Sequence, residues 1–425
     1  MLRLLLAVLL AFTTLPAIAT EPVKLIDAPQ KEGFSKFRVQ EIDAGLKIGY
    51  AVIVVDIDGD KKPDIVVVDQ HQVVWYQNPT WKKRVILDGK TKPDNVCITA
   101  LDIDGDGLPE LVVGAAWKPF DTRTAATIQW LQRGKTLDEP WSMHDIPCDE
   151  PTVHRVRTAD IDGDGKPEIV MVPLMGREST KEKNWMDGRP LRMVAWKVPA
   201  EPTKLANWKA IVLSDSLHVA HNFHPFIGGG FARKGDAFVV GSYEGVSMVY
   251  PEGKEDKWTT VLMHEANQAT PKASRGASEI KRSTDKLGAI ATIEPWHGNQ
   301  VVAYTPAKQD PEKKFSLTRT VIDEQLRWGH AVSFADLDGD GVDELVIGVR
   351  DDPNAKLGDT FTERRGVRIY KRDDKGLKWD RHIIENGGVA VEDLTVADLD
   401  VDGKPDIIAV GRATGNCRIY WNVGK

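Results

Sequence analysis

Short apolar runs alternate with acidic turns along much of this chain. From Val52 the sequence reads VIVVDIDGDKKPDIVVVD, two apolar stretches on either side of an Asp-x-Asp-x-Asp turn. The same plan returns as ITALDIDGDGLPELVVGA from Ile98, VRTADIDGDGKPEIVMVP from Val156, AVSFADLDGDGVDELVIGV from Ala331 and LTVADLDVDGKPDIIAVG from Leu394. Apolar runs this short, bounded by Gly and Asp, predict buried strands joined by a tight connection. A third run follows each pair, then a fourth marked by Trp or a basic residue before Val or Ile. The fourth-strand candidates are KFRVQEI from Lys36, WKKRVIL from Trp81, WSMHDIP from Trp141, WKAIVLS from Trp208, WTTVLMH from Trp258, LTRTVID from Leu317 and WDRHIIE from Trp379.

The first of these seven precedes any complete unit, and the chain stops at Trp421-Asn422 just after a third strand. The strand near Phe37 is therefore expected to complete the last sheet. That gives an all-β fold, a seven-bladed β-propeller of four-stranded blades closed by an N-terminal strand, which leaves no exposed sheet edge to template aggregation. Innermost strands are expected to begin near Tyr50, Asn95, His154, His221, Gly276, His330 and Glu392. Blades four and five, roughly residues 217 to 325, lack the Asp turn and keep only the strand pattern. Insertions at Arg177 to Pro190 and Asp351 to Arg364 are placed to shape a binding mouth. No low-complexity linker interrupts the chain, so residues 20–425 read as one domain.

The repeat sets carboxylates in register at Asp56, Asp58, Asp60 and Asp64; Asp102, Asp104, Asp106 and Glu110; Asp160, Asp162, Asp164 and Glu168; Asp336, Asp338, Asp340 and Glu344; Asp398, Asp400, Asp402 and Asp406. Acidic side chains at loop positions 1, 3, 5 and 9 converge when the backbone bends, and that many hard oxygen ligands suit Ca²⁺. A solvated acidic turn is the plain alternative for one copy; five copies in register favour calcium loops. These repeats resemble the FG-GAP/VCBS repeats of integrin-like β-propellers.

Composition narrows the setting. Arg3, the apolar run Leu4 to Phe12 and a small-residue site at Ala17-Ile18-Ala19 predict a signal peptide over residues 1–19. The run is too short to span a bilayer, so a secreted or periplasmic protein with no membrane span is expected. Cys97, Cys148 and Cys417 cannot all pair with one another, and Cys97 and Cys417 sit in apolar strands that suggest buried thiols. The 425-residue chain carries a formal charge of −7 and has no long basic run, which argues against a nucleic-acid partner.

If the Asp turn joins the first two strands at one face, the first strands open at the other, beside the central channel. Six residues before each leading Asp stand Tyr50, Val96, His154, His330 and Glu392; blades four and five offer His221 or His224, and Glu279, at about that height. One His there is ordinarily a hydrogen-bonded rim residue, but several converging from separate blades predict a metal or catalytic site. The expected ligands are His154, His221, His224, Glu279, His330 and Glu392. Mixed imidazole and carboxylate donors suit Zn²⁺ or a similar transition metal.

Second strands end on the same face, so His71, Trp117, Glu244, Trp296, His297, Arg350, Asp351 and Arg412 are expected around the site, with Arg155, Arg157 and Arg327 near the rim. Trp with Arg on a concave face suits a sugar, whose ring stacks while its hydroxyls are hydrogen-bonded. Trp81, Trp141, Trp208, Trp258 and Trp379 recur at the fourth-strand position and read as packing. Trp117, Trp296 and Trp328 depart from that rule and read as substrate contacts, together with Arg327, Arg350, Arg412 and His71. The catalytic candidates are His221, His297, Arg155 and Glu244.

No nucleophile elbow, His-Glu-x-x-His helix, phosphate loop or dinucleotide fingerprint occurs, and Gly228-Gly229-Gly230 has no helix after it. The whole pattern, with HNFHP near residue 221 and RWGHAVSFADLDGDGVDELVIG from Arg327, resembles the propeller domain of aldos-2-ulose dehydratases. That resemblance implies divalent metals and a lyase that eliminates water from a keto-sugar such as anhydrofructose. Fungal members carry cupin domains after the propeller; none follows here, so the isomerisation those domains support is not part of the expectation. The leading reading is a metal-dependent keto-sugar lyase that expels water or a glycosidic oxygen from an enediolate. The alternative is a non-catalytic, calcium-stabilised propeller that binds carbohydrate or protein.

Overall fold

Every stretch expected to be a fourth strand is one. A computed structural model describes residues 25–226, 234–253, 257–270, 272–308, 314–350, 365–373 and 378–425. The segment 1–19 expected to be a signal peptide, the triple-glycine run and Asp351 with the rest of the insertion 351–364 lie outside the described residues. The fourth strands run Lys82–Asp88, Ser142–Ile146, Ala210–Leu217, Trp258–His264, Leu317–Asp323 and Trp379–Ile383, with Lys36–Asp43 supplying the seventh. Six sheets are four antiparallel strands in simple meander order, the seventh joins strands from both ends of the chain, and together they make a seven-bladed β-propeller.

Closure follows the expected route. Lys36–Asp43 pairs with the last strand, Cys417–Gly424, in register from Phe37↔Asn422 to Glu41↔Arg418, and a two-residue strand at Ile26–Asp27 adds outside it. Phe37 is buried there with Tyr420, Val346 and Ile369, so the seam is packed against blade six as well as hydrogen-bonded.

The second strands, such as Asp64–Val68, Glu110–Ala115 and Asp406–Gly411, are buried along their whole length, since both faces meet a neighbouring blade. This is why they read as continuous apolar runs. The core lies between blades: one cluster joins Ile65 and Tyr76 of blade one to Leu399 and Ile419 of blade seven. The third strands supply the largest buried aromatics, Trp75, Trp130, Trp196, Tyr304, Tyr370 and Tyr420. The fourth-strand tryptophans also pack, as when Trp81 meets Trp421 at 5.9 Å between ring centroids.

The five Asp turns share one hydrogen-bond scheme. The leading Asp accepts backbone N–H groups from the far side of the turn, as Asp102 does from Gly105 (2.8 Å) and Gly107 (3.1 Å). The carboxylate at position 9 bonds the backbone N–H at position 2: Asp64 to Ile57 (3.1 Å), Glu110 to Ile103 (2.8 Å), Glu168 to Ile161 (2.9 Å), Glu344 to Leu337 (2.9 Å) and Asp406 to Leu399 (3.0 Å). That bond drives the apolar residue at position 2 into the interblade core, where Ile57 and Leu399 are fully buried. Gly107 and its counterparts take left-handed backbone, φ +88° at Gly107, which a side chain would strain.

Blade five departs from expectation. Its inner strand is only Ile280–Arg282, four residues later than predicted, because Gly276 (φ +69°) lies against the Ser242 carbonyl and delays pairing. Its turn is tied to blade six instead of carrying an Asp-x-Asp-x-Asp loop. Asp343 Oδ2 accepts from the Thr284 N–H (2.6 Å) and hydroxyl (2.9 Å), and Arg372 pairs with Asp285. The three cysteines are free, with Cys97 and Cys417 buried.

Removing residues 25–44 is expected to open the last sheet and give an aggregated product, visible by size-exclusion chromatography. The milder Phe37→Ala is expected to cost about 3–5 kcal/mol in denaturant titration by leaving a cavity at the seam. A soluble, fully stable deletion variant would contradict this closure.

Candidate active site

In blades three, four, six and seven the inner strand carries a β-bulge at one equivalent residue. The register shifts between Val153 and Arg155, Ala220 and Asn222, Gly329 and Ala331, and Val391 and Asp393. The bulged residues are His154, His221, His330 and Glu392. A bulge leaves one residue out of the ladder and re-aims its side chain; here all four line a single cavity of about 740 Å³ on the propeller axis.

The histidine rings are held from behind. His154 Nδ1 lies 2.8 Å from the His221 carbonyl, and His330 Nδ1 lies 2.5 Å from the Glu392 carbonyl. A carbonyl only accepts, so each Nδ1 carries its proton and each Nε2 presents a lone pair to the cavity. His221 Nδ1 faces Glu279 Oε1 at 2.6 Å, and that carboxylate is also held by Arg155 (3.3 Å) and Asn222 (2.5 Å). His221 Nε2 is thereby turned toward His297 Nε2, 2.7 Å away. His221, His297 and His330 together bring one ring nitrogen each within 4.8 Å of the others.

Such a set fits a transition-metal ion: three imidazoles converge, two of them oriented by a carbonyl or a carboxylate. Burial first, and then nearby guanidinium groups, pulls all four histidines well below the usual imidazole range: Arg155 acts on His154 and His221, Arg350 on His330, and His221 followed by Arg350 on His297. They are neutral at neutral pH, the form that ligates metal or accepts a proton.

Aromatic residues form the walls. Trp117 packs on His154 with ring centroids 5.1 Å apart, Trp296 meets His221 edge-on at 5.0 Å, and Tyr243 meets Trp296 edge-on at 5.0 Å. Trp296, His297 and Trp328 all take positive φ, at 23°, 43° and 58°. Bulky residues rarely adopt such backbone, and it is held where surroundings over-determine it. Opposite them, Glu392 is clamped by Arg350 (2.8 Å) and Arg412 (2.7 Å), and Arg412 lies over the Tyr50 ring at 5.1 Å. Tyr50 donates to Asp94 (2.8 Å), and burial pushes its phenol pKa up. Below the histidines, Arg157 bonds Asn222 Oδ1 and the Phe223 carbonyl, both at 2.9 Å, and Asp393 accepts from the Val52 N–H at 3.1 Å.

The structure distributes the sequence-derived candidates as follows. His221 and His330 converge, joined by His297, for which a base role was expected. His154 lies alongside, its ring 4.3 Å from that of His221. Glu279 stands behind His221. Glu392 belongs to the arginine clamp, 3.9 Å from His330 Nε2. His224 is three residues farther along its strand, in the field of Lys281, Arg157 and Arg282. Trp117, Trp296, Trp328, Arg155, Arg350 and Arg412 line the cavity; His71, Glu244 and Arg327 do not. His71 is exposed, and Glu244 instead pairs with His218 at 2.9 Å. In the Asp turns led by Asp56, Asp102, Asp160 and Asp336, positions 1, 3 and 9 come within 4.8 Å, while position 5 accepts from the N–H two residues on, as Asp106 does from Leu108. Tyr50 stood at the repeat position without a role; Tyr243, Phe120 and Trp185 had no periodic signal to mark them.

Residues 125–307 match the family described as aldos-2-ulose dehydratase, β-propeller domain, and residues 56–113 match an FG-GAP-like repeat. An aldos-2-ulose dehydratase of Phanerodontia chrysosporium is 24% identical over 265 residues, covering 58% of this chain and 28% of that protein, so the chain spans little more than a quarter of its relative. Two solved structures of BBS1N in complex with ARL6DN, soaked with mercury or with lead, superpose with TM-scores of 0.54 and 0.51 at 11% and 13% identity. Each covers 94% of this chain and 97% of its own, a likeness of fold alone. The chain is a β-propeller with FG-GAP-like repeats that resembles the propeller domain of aldos-2-ulose dehydratases.

Proposed function

We propose that the axial cavity is the active site of a metal-dependent lyase, which removes a proton beside the ketone of a keto-sugar and expels the β-oxygen as water or alcohol. The convergence of His221, His297 and His330 at the base of an aromatic and arginine-lined cavity carries this reading. A divalent ion held by these three histidines supplies Lewis acidity toward the ketone. Trp117 and Trp296 offer faces to the sugar ring, and Arg350 and Arg412 offer donors to its hydroxyls. With His221 and His297 engaged, the base is His154, whose bond to the His221 carbonyl leaves its Nε2 free to take the proton. The electron pair of that C–H bond forms the C=C bond, the β C–O bond breaks, and the departing oxygen takes the proton back from the His154 imidazolium. The resemblance to aldos-2-ulose dehydratase supports a keto-sugar substrate. Cleavage of the leader read from residues 1–19 would place the activity outside the cytoplasm.

The same proposal assigns Ca²⁺ to the Asp turns, where three carboxylates converge per loop. Burial first pushes the position-9 carboxylates up, Asp64 to about 6 and Glu110, Glu168, Glu344 and Asp406 to about 7. Folded values above unfolded ones mean that the protonated form stabilises the fold. That stability is present below about pH 4 and lost as pH rises through 6 to 7. Bound Ca²⁺ takes the place of those protons at neutral pH. Melting temperature in EDTA is therefore expected to fall between pH 5 and pH 8, and millimolar Ca²⁺ to abolish the fall; superimposable curves would refute calcium binding.

His330→Gln is expected to remove the transition metal, read by elemental analysis, together with elimination activity toward 2-keto and 3-keto sugars. Glu279→Gln is expected to weaken metal affinity about 10–100-fold through His221. Full metal content and activity in both variants would leave the binding-module reading in its place.

Because the His154 pKa lies well below 6.5, kcat/KM is expected to stay level from pH 8 to pH 6.5 and fall only at lower pH. His154→Gln is expected to lower kcat while retaining metal. An acid limb centred above pH 6.5, or wild-type kcat in the variant, would assign the base elsewhere.

A further inference from the structure

Two aromatic side chains stand at the cavity mouth, outside the histidine cluster, with Trp185 half-buried against the core of the first blades. Phe120 is 64% exposed, and its ring stacks on Trp185 with centroids 5.3 Å apart and planes 18° from parallel. They come from different blades, on the loops that follow the second strands Glu110–Ala115 and Glu168–Pro173. Both line the same cavity as the histidines.

The two loops are braced together. Thr122 Oγ1 donates to the Ser179 carbonyl (2.9 Å), and the Glu178 N–H returns a bond to the Thr122 carbonyl (3.0 Å). Thr180 donates through its N–H (2.6 Å) and hydroxyl (2.7 Å) to Asp187, and Asn184 Nδ2 reaches the Ala273 carbonyl of a third loop (3.0 Å). Phe120, Asn184 and Trp185 take positive φ of 74°, 53° and 62°. Backbone strain fixed by bracing, which holds an exposed Phe120 ring on a half-buried Trp185, marks a pre-organised binding surface. Trp117 and Phe120 lie three residues apart on one loop, the first buried against His154 and the second at the mouth. Three residues span at most about 10 Å, so the pair stands within one sugar ring or two of the histidines along a cavity wall that Trp117, Phe120 and Trp185 all line.

We infer that Phe120 and Trp185 form an outer subsite for a second sugar ring, which makes the substrate a keto-glycoside of two or more rings rather than a free keto-monosaccharide. The inference rests on the keto-sugar reading of the inner cavity. The inner ring carries the ketone beside the histidines, and the outer ring stacks its apolar face on the pair, as sugars do on aromatic rings. The glycosidic oxygen between them is then the β-oxygen that leaves, taking a proton as its C–O bond breaks and the C=C bond forms.

The test is calorimetric titration with unreactive cellobiose, maltose and trehalose against glucose, paired with kinetics on 3-keto disaccharides and 3-keto-glucose. Wild-type protein is expected to bind at least one disaccharide about tenfold tighter than glucose, and Phe120→Ala and Trp185→Ala to lose that advantage. In turnover, the same variants are expected to raise KM for the keto-disaccharide about tenfold with kcat unchanged, and to leave 3-keto-glucose unaffected. Phe120→Tyr, which keeps the stack, is expected to behave as wild type. Equal affinity for disaccharides and glucose, or variants that keep the preference, would overturn the subsite even in an active lyase. Phe120-dependent disaccharide binding without turnover of any keto-sugar would uphold the subsite and remove the lyase reading.

Discussion

Closure of the ring is the constraint from which the other features follow. The last of the seven sheets on the shared axis is completed by a strand from the other end of the chain, with Lys36–Asp43 pairing against Cys417–Gly424. Once the ring is closed, the inner strands of blades three, four, six and seven begin at the same height beside the axis. Residues more than 170 positions apart, such as His154 and His330, then face one cavity. The turn at the opposite end keeps that height constant: its position-9 carboxylate anchors the N–H at position 2, and the apolar side chain there wedges between blades. A bulge at the first residues of four inner strands converts the shared height into convergent side chains.

The electrostatics of the axis depend on the same closure. Excluding water makes an unpaired charge costly, and the charged groups are accordingly paired. Glu279 is held by Arg155 and Asn222, and Glu392 by Arg350 and Arg412. The histidines lie between these pairs, where burial and the guanidinium groups disfavour a further positive charge. The outcome is a patch of neutral imidazole in a charged surround, with Nδ1 committed to a carbonyl in His154 and His330. A cluster of this kind, in which His221 and His297 face each other through Nε2, is prepared for an ion or a proton from the cavity.

The Asp turns and the axial cavity occupy opposite ends of the blades. The turns hold carboxylates in excess, raised in pKa by burial, while the cavity mixes imidazole, guanidinium and aromatic groups. Hard oxygen donors gather at one face and nitrogen donors at the other, so the two ends suit different cations. Blades four and five, without the Asp-x-Asp-x-Asp loop, contribute His221, Glu279 and His297 to the cavity. Blade five secures its turn through Asp285, Asp343 and Arg372 instead.

Much of this was legible in the sequence, because a repeat reports the same local physics several times. The fourth strands, the closing strand and the Asp register follow from period and apolar run length. The six-residue count back from each leading Asp reached His154, His330 and Glu392, since within one repeat the number of residues sets the height along a strand. Only the tertiary structure decided which of them meet. His297 joins His221 and His330 because positive φ at Trp296 and His297 folds that turn inward, and no pattern of polarity encodes such a turn. Glu244 and His71, equally well placed by counting, turn away toward His218 and solvent. Phe120 and Trp185 come together through braced insertions without periodicity. Their contact depends on loop hydrogen bonds between blades, which sequence spacing does not specify.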